Sequence, residues 1–312
     1  MLLCGMMLWP ASTVAQEPHP YSVSRPLTEP VLFAEGVVST PDYELNSAFM
    51  PDGRTVYFTK STANMAFWTI VVTRFRDGAW TEPEVAPFSG QYSDADPFVS
   101  PDGNRLFFIS RRPVPGFTRR EPHIWYVERS GTTWSEPRNI AVLNGEAGEY
   151  YPSVAADGTL YFATARPGGL GHRDLYRSRL AGGAYQEPEN LGAPLNGPFY
   201  EGDSVVAPDQ SFIIVTITGR PDDMGAGDLY IIERKDGVWT APRHLGPKVN
   251  SNALEFCPIL SPDGKYLFFS SNRGFTQQPP QRPHTYSDLI GKLRGVRNGL
   301  GNVYQIDLAA VR

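Results

Sequence analysis

Short apolar runs joined by turn chemistry recur along the whole chain. Leu254–Ser271 is the clearest example. An extended segment of mixed polarity leads into Ser261-Pro262-Asp263-Gly264, and a Leu267-Phe268-Phe269 core follows. Proline sets φ in such a turn, aspartate bonds its own backbone, and glycine accepts positive φ. The unit occurs five times, with turns at 51–53, 101–103, 156–158, 208–210 and 262–264. The turn residues Asp52, Asp102, Asp157, Asp209 and Asp263 are spaced 50, 55, 52 and 54 residues apart. A period of about 50 residues with four strands in each predicts propeller blades.

In each period the second strand is the apolar core and the third follows a loop of variable length. The fourth is expected at Trp80–Pro83, Trp134–Pro137, Tyr185–Pro188 and Trp239–Pro242, where proline suits an edge. The fifth repeat is followed by no such segment, and Leu27-Thr28-Glu29-Pro30 resembles the missing one. Leu27–Val38 is therefore expected to complete the last blade. The prediction is an all-β, five-bladed propeller of four-stranded antiparallel blades over residues 27–312.

Residues 1–15 read as a cleaved export signal, and 16–26 as a polar, proline-containing linker. Cleavage would leave Cys257 alone and no internal disulfide, which fits a bacterial periplasm or exterior. No other segment approaches the roughly 20 apolar residues of a membrane span. The net charge of −5 gives no reason to expect nucleic acid as a partner. A monomer is expected.

The unit Glu255-x-x-Pro258-x-x-Ser261-Pro262-Asp263-Gly264-Lys265-x-Leu267-x-Phe269-x-Ser271-x-Arg273, with Asp-Leu-Tyr as at 228–230, resembles the TolB-like (WD-like) β-propeller repeat. The resemblance covers nearly all of the chain after residue 15. It implies an exported bacterial protein and a fold that scaffolds protein contacts in the envelope. Related propellers cap serine peptidases, but no Gly-x-Ser-x-Gly elbow is present.

Candidate chemistry lies in one column of the repeat. Eight residues before each turn aspartate stands an acid: Glu44, Asp94, Glu149, Glu201 and Glu255. Two residues further on, expected on the same strand face, stand Asn46, Asp96, Tyr151, Asp203 and Cys257. Loops after the second strands bring Lys60, Arg111, Arg112, Arg166, Arg220 and Arg273 to the same mouth, with His123, His172 and His284 in or beside them. Ion pairing within or between blades would account for most of these charges. Asp96 and Asp203 break the repeat. They are candidates for ligand binding, for Ca²⁺ coordination, or, with Glu149, for acid/base work on a glycosidic bond. The histidines would allow a Zn²⁺ site with them.

The last blade carries an insertion, 275–301, with a basic helix expected over Tyr286–Arg297 and Leu289, Ile290 and Leu293 on one face. Such loops often carry function. No nucleophile–base–orienter set, phosphate loop or nucleotide fingerprint compels an enzyme reading. The favoured function is a module binding a protein, peptide or glycan at the loop-rich mouth. The alternatives are a carbohydrate-active hydrolase or lyase, and a purely structural envelope component.

Overall fold

The computed structural model describes residues 19–274 and 281–312; the export signal expected over 1–15 lies outside them. Each turn aspartate accepts a hydrogen bond from the backbone N–H two residues on. The donors are Arg54 (2.8 Å), Asn104 (3.0 Å), Thr159 (2.9 Å), Ser211 (3.0 Å) and Lys265 (3.3 Å). These turns join inner to second strands. The pairs are Tyr43–Phe49 with Thr55–Ser61, Asp94–Val99 with Arg105–Ser110, Tyr150–Val154 with Leu160–Thr164, Tyr200–Val206 with Phe212–Thr218, and Glu255–Leu260 with Tyr266–Ser271. The second strands bury both faces between neighbouring blades, which is why they read as continuous apolar runs rather than alternating ones. Third strands follow at Trp68–Arg76, His123–Ser130, Asp174–Ser178, Asp228–Lys235 and Asn302–Asp307. The result is a five-bladed β-propeller of antiparallel blades.

The fourth strand is not the single segment expected. In blade 1, Ala79–Trp80 and Glu84–Val85 pair separately with Trp68–Arg76. Pro83 lies between them and has no N–H for the ladder. Blades 2 and 4 repeat this split. In blade 3, Ala184–Tyr185 folds onto Leu180–Ala181, and Glu189–Asn190 alone reaches the third strand.

The chain start closes the ring. Val31 lies opposite Gln305 and Leu32 opposite Tyr304, so the strand is Val31–Leu32 rather than 27–38. Leu27 also joins it: its N–H donates to Asp307 Oδ2 at 3.0 Å, and the Asp307 N–H donates to Leu27 O at 3.1 Å. Leu27 and Val31 thus stand where Trp80 and Glu84 stand in blade 1. Tyr21 is already buried, edge-on to Phe49, Tyr266 and Phe268. Blade 1 then meets blade 5 directly, with the Asn46 N–H on Ser270 Oγ at 2.9 Å and Phe49 against Phe268 at 4.6 Å. Among the described residues no helix is long and apolar enough to cross a membrane.

In the insertion the helix spans Tyr286–Leu293, shorter than expected, with a capping box between Thr285 and Asp288. Leu289 and Leu293 are exposed, so its apolar face does not belong to the core. The anchor lies beyond the helix. Asn298 Nδ2 donates to Pro41 O at 2.8 Å, and Leu300 packs on Tyr43, Leu45, Tyr151, Phe256 and Cys257.

Candidate binding site at the loop-side mouth

The five repeat acids are all buried, with their carboxylates at the start of the inner strands. Four have a base from their own blade. Glu44 meets Lys60 at 2.9 Å, Asp94 pairs with Arg112, Glu149 meets Arg166 at 2.9 Å, and Glu255 meets Arg273 at 3.0 Å. They also hold the interblade connections. Ser89 Oγ donates to Asp94 at 2.9 Å, and the Ser251 N–H and Oγ donate to Glu255 at 2.8 and 2.7 Å. Burial raises the pKa of Asp94 and Glu149 even so, against the lowering by Arg112 and by His123 and Arg166.

Glu201 is the exception. Arg220 turns instead to Asp222, donating from Nε at 3.0 Å. Glu201 accepts only the Gly197 N–H at 3.2 Å on Oε1, and Oε2 is buried with no partner among the described residues. Burial, with the charge of Asp174, pushes its pKa up to about 7.

The second column is not on the face that strand alternation predicts. In every blade the ladder slips at this point: two inner-strand residues oppose one, as in a β-bulge. Asn46, Asp96, Tyr151 and Cys257 take left-handed backbone, with φ of 52, 53, 53 and 52°. Such values are uncommon outside glycine and costly for tyrosine. Blade 4 differs again, with Gly202 beside Asp203 and no left-handed residue there.

The bulges bring these residues together in the channel. The Tyr151 hydroxyl spans from blade 3 to donate to Pro258 O of blade 5 at 2.8 Å. Asp203 Oδ2 accepts from Cys257 N–H at 3.2 Å and Sγ at 3.3 Å. Burial lifts the Asp96 carboxyl well above its ordinary pKa, and the charge of Asp203 adds to the effect. Asp203 is raised too, by burial, against the hydrogen bonds from Cys257 and the charge of Arg173. Burial and these two carboxylates also push up the Cys257 thiol, which is therefore a thiol and no nucleophile at neutral pH.

Two guanidiniums of the loop-side mouth lie against aromatic rings, and the charge of one, Arg173, lowers the pKa of both Asp96 and Asp203. Arg173, which sequence reasoning did not single out, lies 3.8 Å from the Tyr150 ring centre and 4.7 Å from that of Tyr200. Arg111 lies 4.6 Å from the ring centre of Trp68. Neither forms an ion pair among the described residues, and the Nε of each is buried with no acceptor. Blade 3 alone has arginine just before its third strand, so a search for departures from the repeat would have found Arg173.

The histidines do not converge. His123 is buried against Glu149 at 2.9 Å, while His172 and His284 are exposed. Among the described residues no three acid, histidine or cysteine side chains are placed to hold a metal ion. The opposite end of the channel is apolar. There a cavity of about 160 Å³ is lined by Phe49, Phe98, Val154, Val205 and Ile259 with the turn prolines.

No protein-family model matches the chain, and no curated protein matches it by sequence. Solved structures do match. They include the α-L-arabinofuranosidase from Lactobacillus brevis (13% identity, TM-score 0.48, covering 87% of this chain and 91% of that one). The puromycin-hydrolysing peptidase from Mycobacterium tuberculosis gives 14% identity and a TM-score of 0.43, covering 84% of this chain and 42% of that one. The periplasmic gluconolactonase from Pseudomonas aeruginosa gives 14% and 0.43, covering 73% and 64%. The chain thus spans less than two thirds of the peptidase and of the gluconolactonase. The likeness is one of β-propeller fold alone.

Proposed function

We propose that this chain is an exported binding module whose ligand sits at the loop-side mouth, over Asp96 and Asp203. The observation that carries the reading is the contrast within the acids. Glu44, Asp94, Glu149 and Glu255 have bases of their own blades and serve architecture. Asp96 and Asp203 have none within ion-pair distance among the described residues, and the charge of Asp203 adds to the burial that raises the Asp96 pKa. Charge held against repulsion is a cost that a ligand can relieve. The repeat's resemblance to TolB-like propellers supports a binding rather than a catalytic role.

A second reading rests on the same pair. Two neighbouring buried carboxyls, both with raised pKa, would provide an acid and a base for a glycosidic bond. Among the described residues no further group arranged as nucleophile and orienter favours it.

A thermal-shift screen of glycans, peptides and divalent ions, Ca²⁺ included, tests the proposal, since a ligand bound to the native state raises the melting temperature. A hit on the wild type should be lost in Asp96→Asn and in Asp203→Asn while both variants stay folded. Unaltered response in both variants would refute the assignment. Turnover of a hit glycan that both substitutions abolish would favour the second reading.

A further inference from the structure

We infer that the loop-side face of the propeller docks on an anionic lipid surface, with apolar loop tips entering the headgroup layer and loop bases meeting lipid phosphates. The contact involves the rim around the mouth and does not depend on a ligand in the channel.

The net charge of −5 hides an uneven distribution. The loops between second and third strands run over 62–67, 111–122, 165–173, 219–227 and 272–301. All five lie at one end of the ring, because each inner strand starts there and each second strand ends there. Together they contain twelve Lys and Arg against four Asp and Glu, while the rest of the chain has sixteen against twenty-nine. The connections between blades reach the same end. Besides the repeat acids they add Glu35, Asp42 and Glu146 against Lys248, so the face stays positive. Arg112, Arg166 and Arg273 are held inward by the repeat acids. Arg119, Arg120, Lys292, Arg294 and Arg297 are exposed and have no acidic partner among the described residues.

The same loops carry most of the exposed apolar side chains. Among the described residues ten large apolar side chains are exposed, and seven of them stand in these loops. Met65 and Phe67 come from blade 1, Leu170 from blade 3 and Met224 from blade 4. Singly exposed apolar residues need no explanation, but their gathering at one end of a molecule does. The other three belong to the helix of blade 5. Tyr286, Leu289 and Leu293, with Ile290, follow the i, i+3, i+4, i+7 spacing of one helical face, and Tyr286 is 79% exposed. Lys292 and Arg294 fall on either side of that stripe. Their long stems can lie along apolar surface there while the charges reach outward.

This pattern favours a lipid surface over a protein. An apolar stripe flanked by bases is the arrangement of a helix that lies in the membrane interface. The remaining tips come from three other blades around the ring, one or two side chains at each. The concavity beside the helix is lined by Arg282, His284, Asp288 and Lys292, so it offers no apolar groove to a peptide. A fluid bilayer can adapt to tips on several blades, and its anionic headgroups complement the loop charge. Each base near such a surface strengthens binding about fivefold. Among the described residues no helix is long and apolar enough to span, so this contact is peripheral.

The test is co-sedimentation with vesicles of phosphatidylcholine alone and of phosphatidylcholine mixed with phosphatidylglycerol. The chain from Gln16 onward is used, so that the apolar leader contributes nothing. It should bind the anionic vesicles about tenfold or more tightly than the neutral ones, and about 0.5 M salt should release it. Lys292→Gln with Arg294→Gln should weaken binding about 10- to 30-fold. Leu289→Ser with Leu293→Ser should weaken it about tenfold. Val238→Ser, at an exposed site on the opposite end of the ring, should bind as wild type. All these side chains are exposed or flank exposed ones, and melting curves confirm that each variant is folded. No preference for anionic vesicles, or an equal loss in Val238→Ser, overturns the inference. Binding to polyglutamate with none to anionic vesicles would make the face a site for an acidic polymer, and overturns it as well.

Discussion

Glu201 and Glu255 hold the same place in their blades and differ by where one arginine falls. Blades 2, 3 and 5 read Phe-x-Ser/Thr-x-Arg at Phe108–Arg112, Phe162–Arg166 and Phe269–Arg273. The hydroxyl binds locally and the arginine reaches the acid: Ser271 Oγ donates to Glu255 at 2.7 Å, and Arg273 Nε donates to that hydroxyl at 2.9 Å. Blade 4 has Val215-x-Ile217 and places Arg220 one residue later, beyond Gly219. The lone carboxyl of Glu201 follows from that spacing, and the sequence already displays it. Its pH consequence has a definite sign. The folded pKa of about 7 lies above the ordinary glutamate value, so the native state holds the proton longer than the unfolded chain. The contribution of Glu201 to stability therefore falls as pH rises from about 4.5 to 7 and is flat above. Glu201→Gln should match the wild type near pH 4.5 and exceed it by roughly 2–3 kcal/mol at pH 8. Denaturant melts of both proteins at the two pH values check this, and an equal difference at both would show that Glu201 is not the titrating group.

At the level of elements, the bulge is what sequence periodicity missed. Alternation with period two places Asp96 beside Asp94 on one face, but the ladder slips between Ala95 and Phe98 and turns Asp96 into left-handed backbone. Nothing in the local composition requires this: aspartate and asparagine tolerate such backbone, yet Tyr151 and Cys257 adopt it too. The constraint is tertiary, set by five inner strands crowding one channel. The split fourth strand was closer to legible, since the proline that marks an edge also interrupts it. The inserted helix marks the opposite limit. Its apolar stripe was readable, but Leu289 and Leu293 remain exposed. Replacing 281–296 by a Gly/Ser linker should therefore change the melting temperature by no more than a degree or two, because loop closure depends weakly on length. Leu300→Ala, in the packed stem, should cost about 2–3 kcal/mol. A large loss on excision of the helix would show that it packs on the ring after all.

For the whole molecule, repeat counting was enough to give the fold, because five turns and one displaced outer strand leave a single closed arrangement. The role of Tyr21 was not legible, since a lone tyrosine in a polar stretch carries no pattern. It wedges between blades 1 and 5, and Gln305 Nε2 donates to its carbonyl at 2.6 Å. Tyr21→Ala should destabilise the ring by about 3 kcal/mol, and deletion through Leu32 by far more. Equal melting of the truncated and intact proteins would refute closure by the chain start. The account as a whole divides the acids of one mouth into those that hold the propeller together and those that wait for a ligand. Ligand-free thermal unfolding of Asp96→Asn, Asp203→Asn and Glu255→Gln at pH 7.5 tests that division most directly. Glu255→Gln should melt several degrees below wild type, having lost a buried ion pair and its hydrogen bonds, while the two aspartate variants melt at or above it. If all three fall together, Asp96 and Asp203 are structural like the rest and the mouth is not a binding site of this kind.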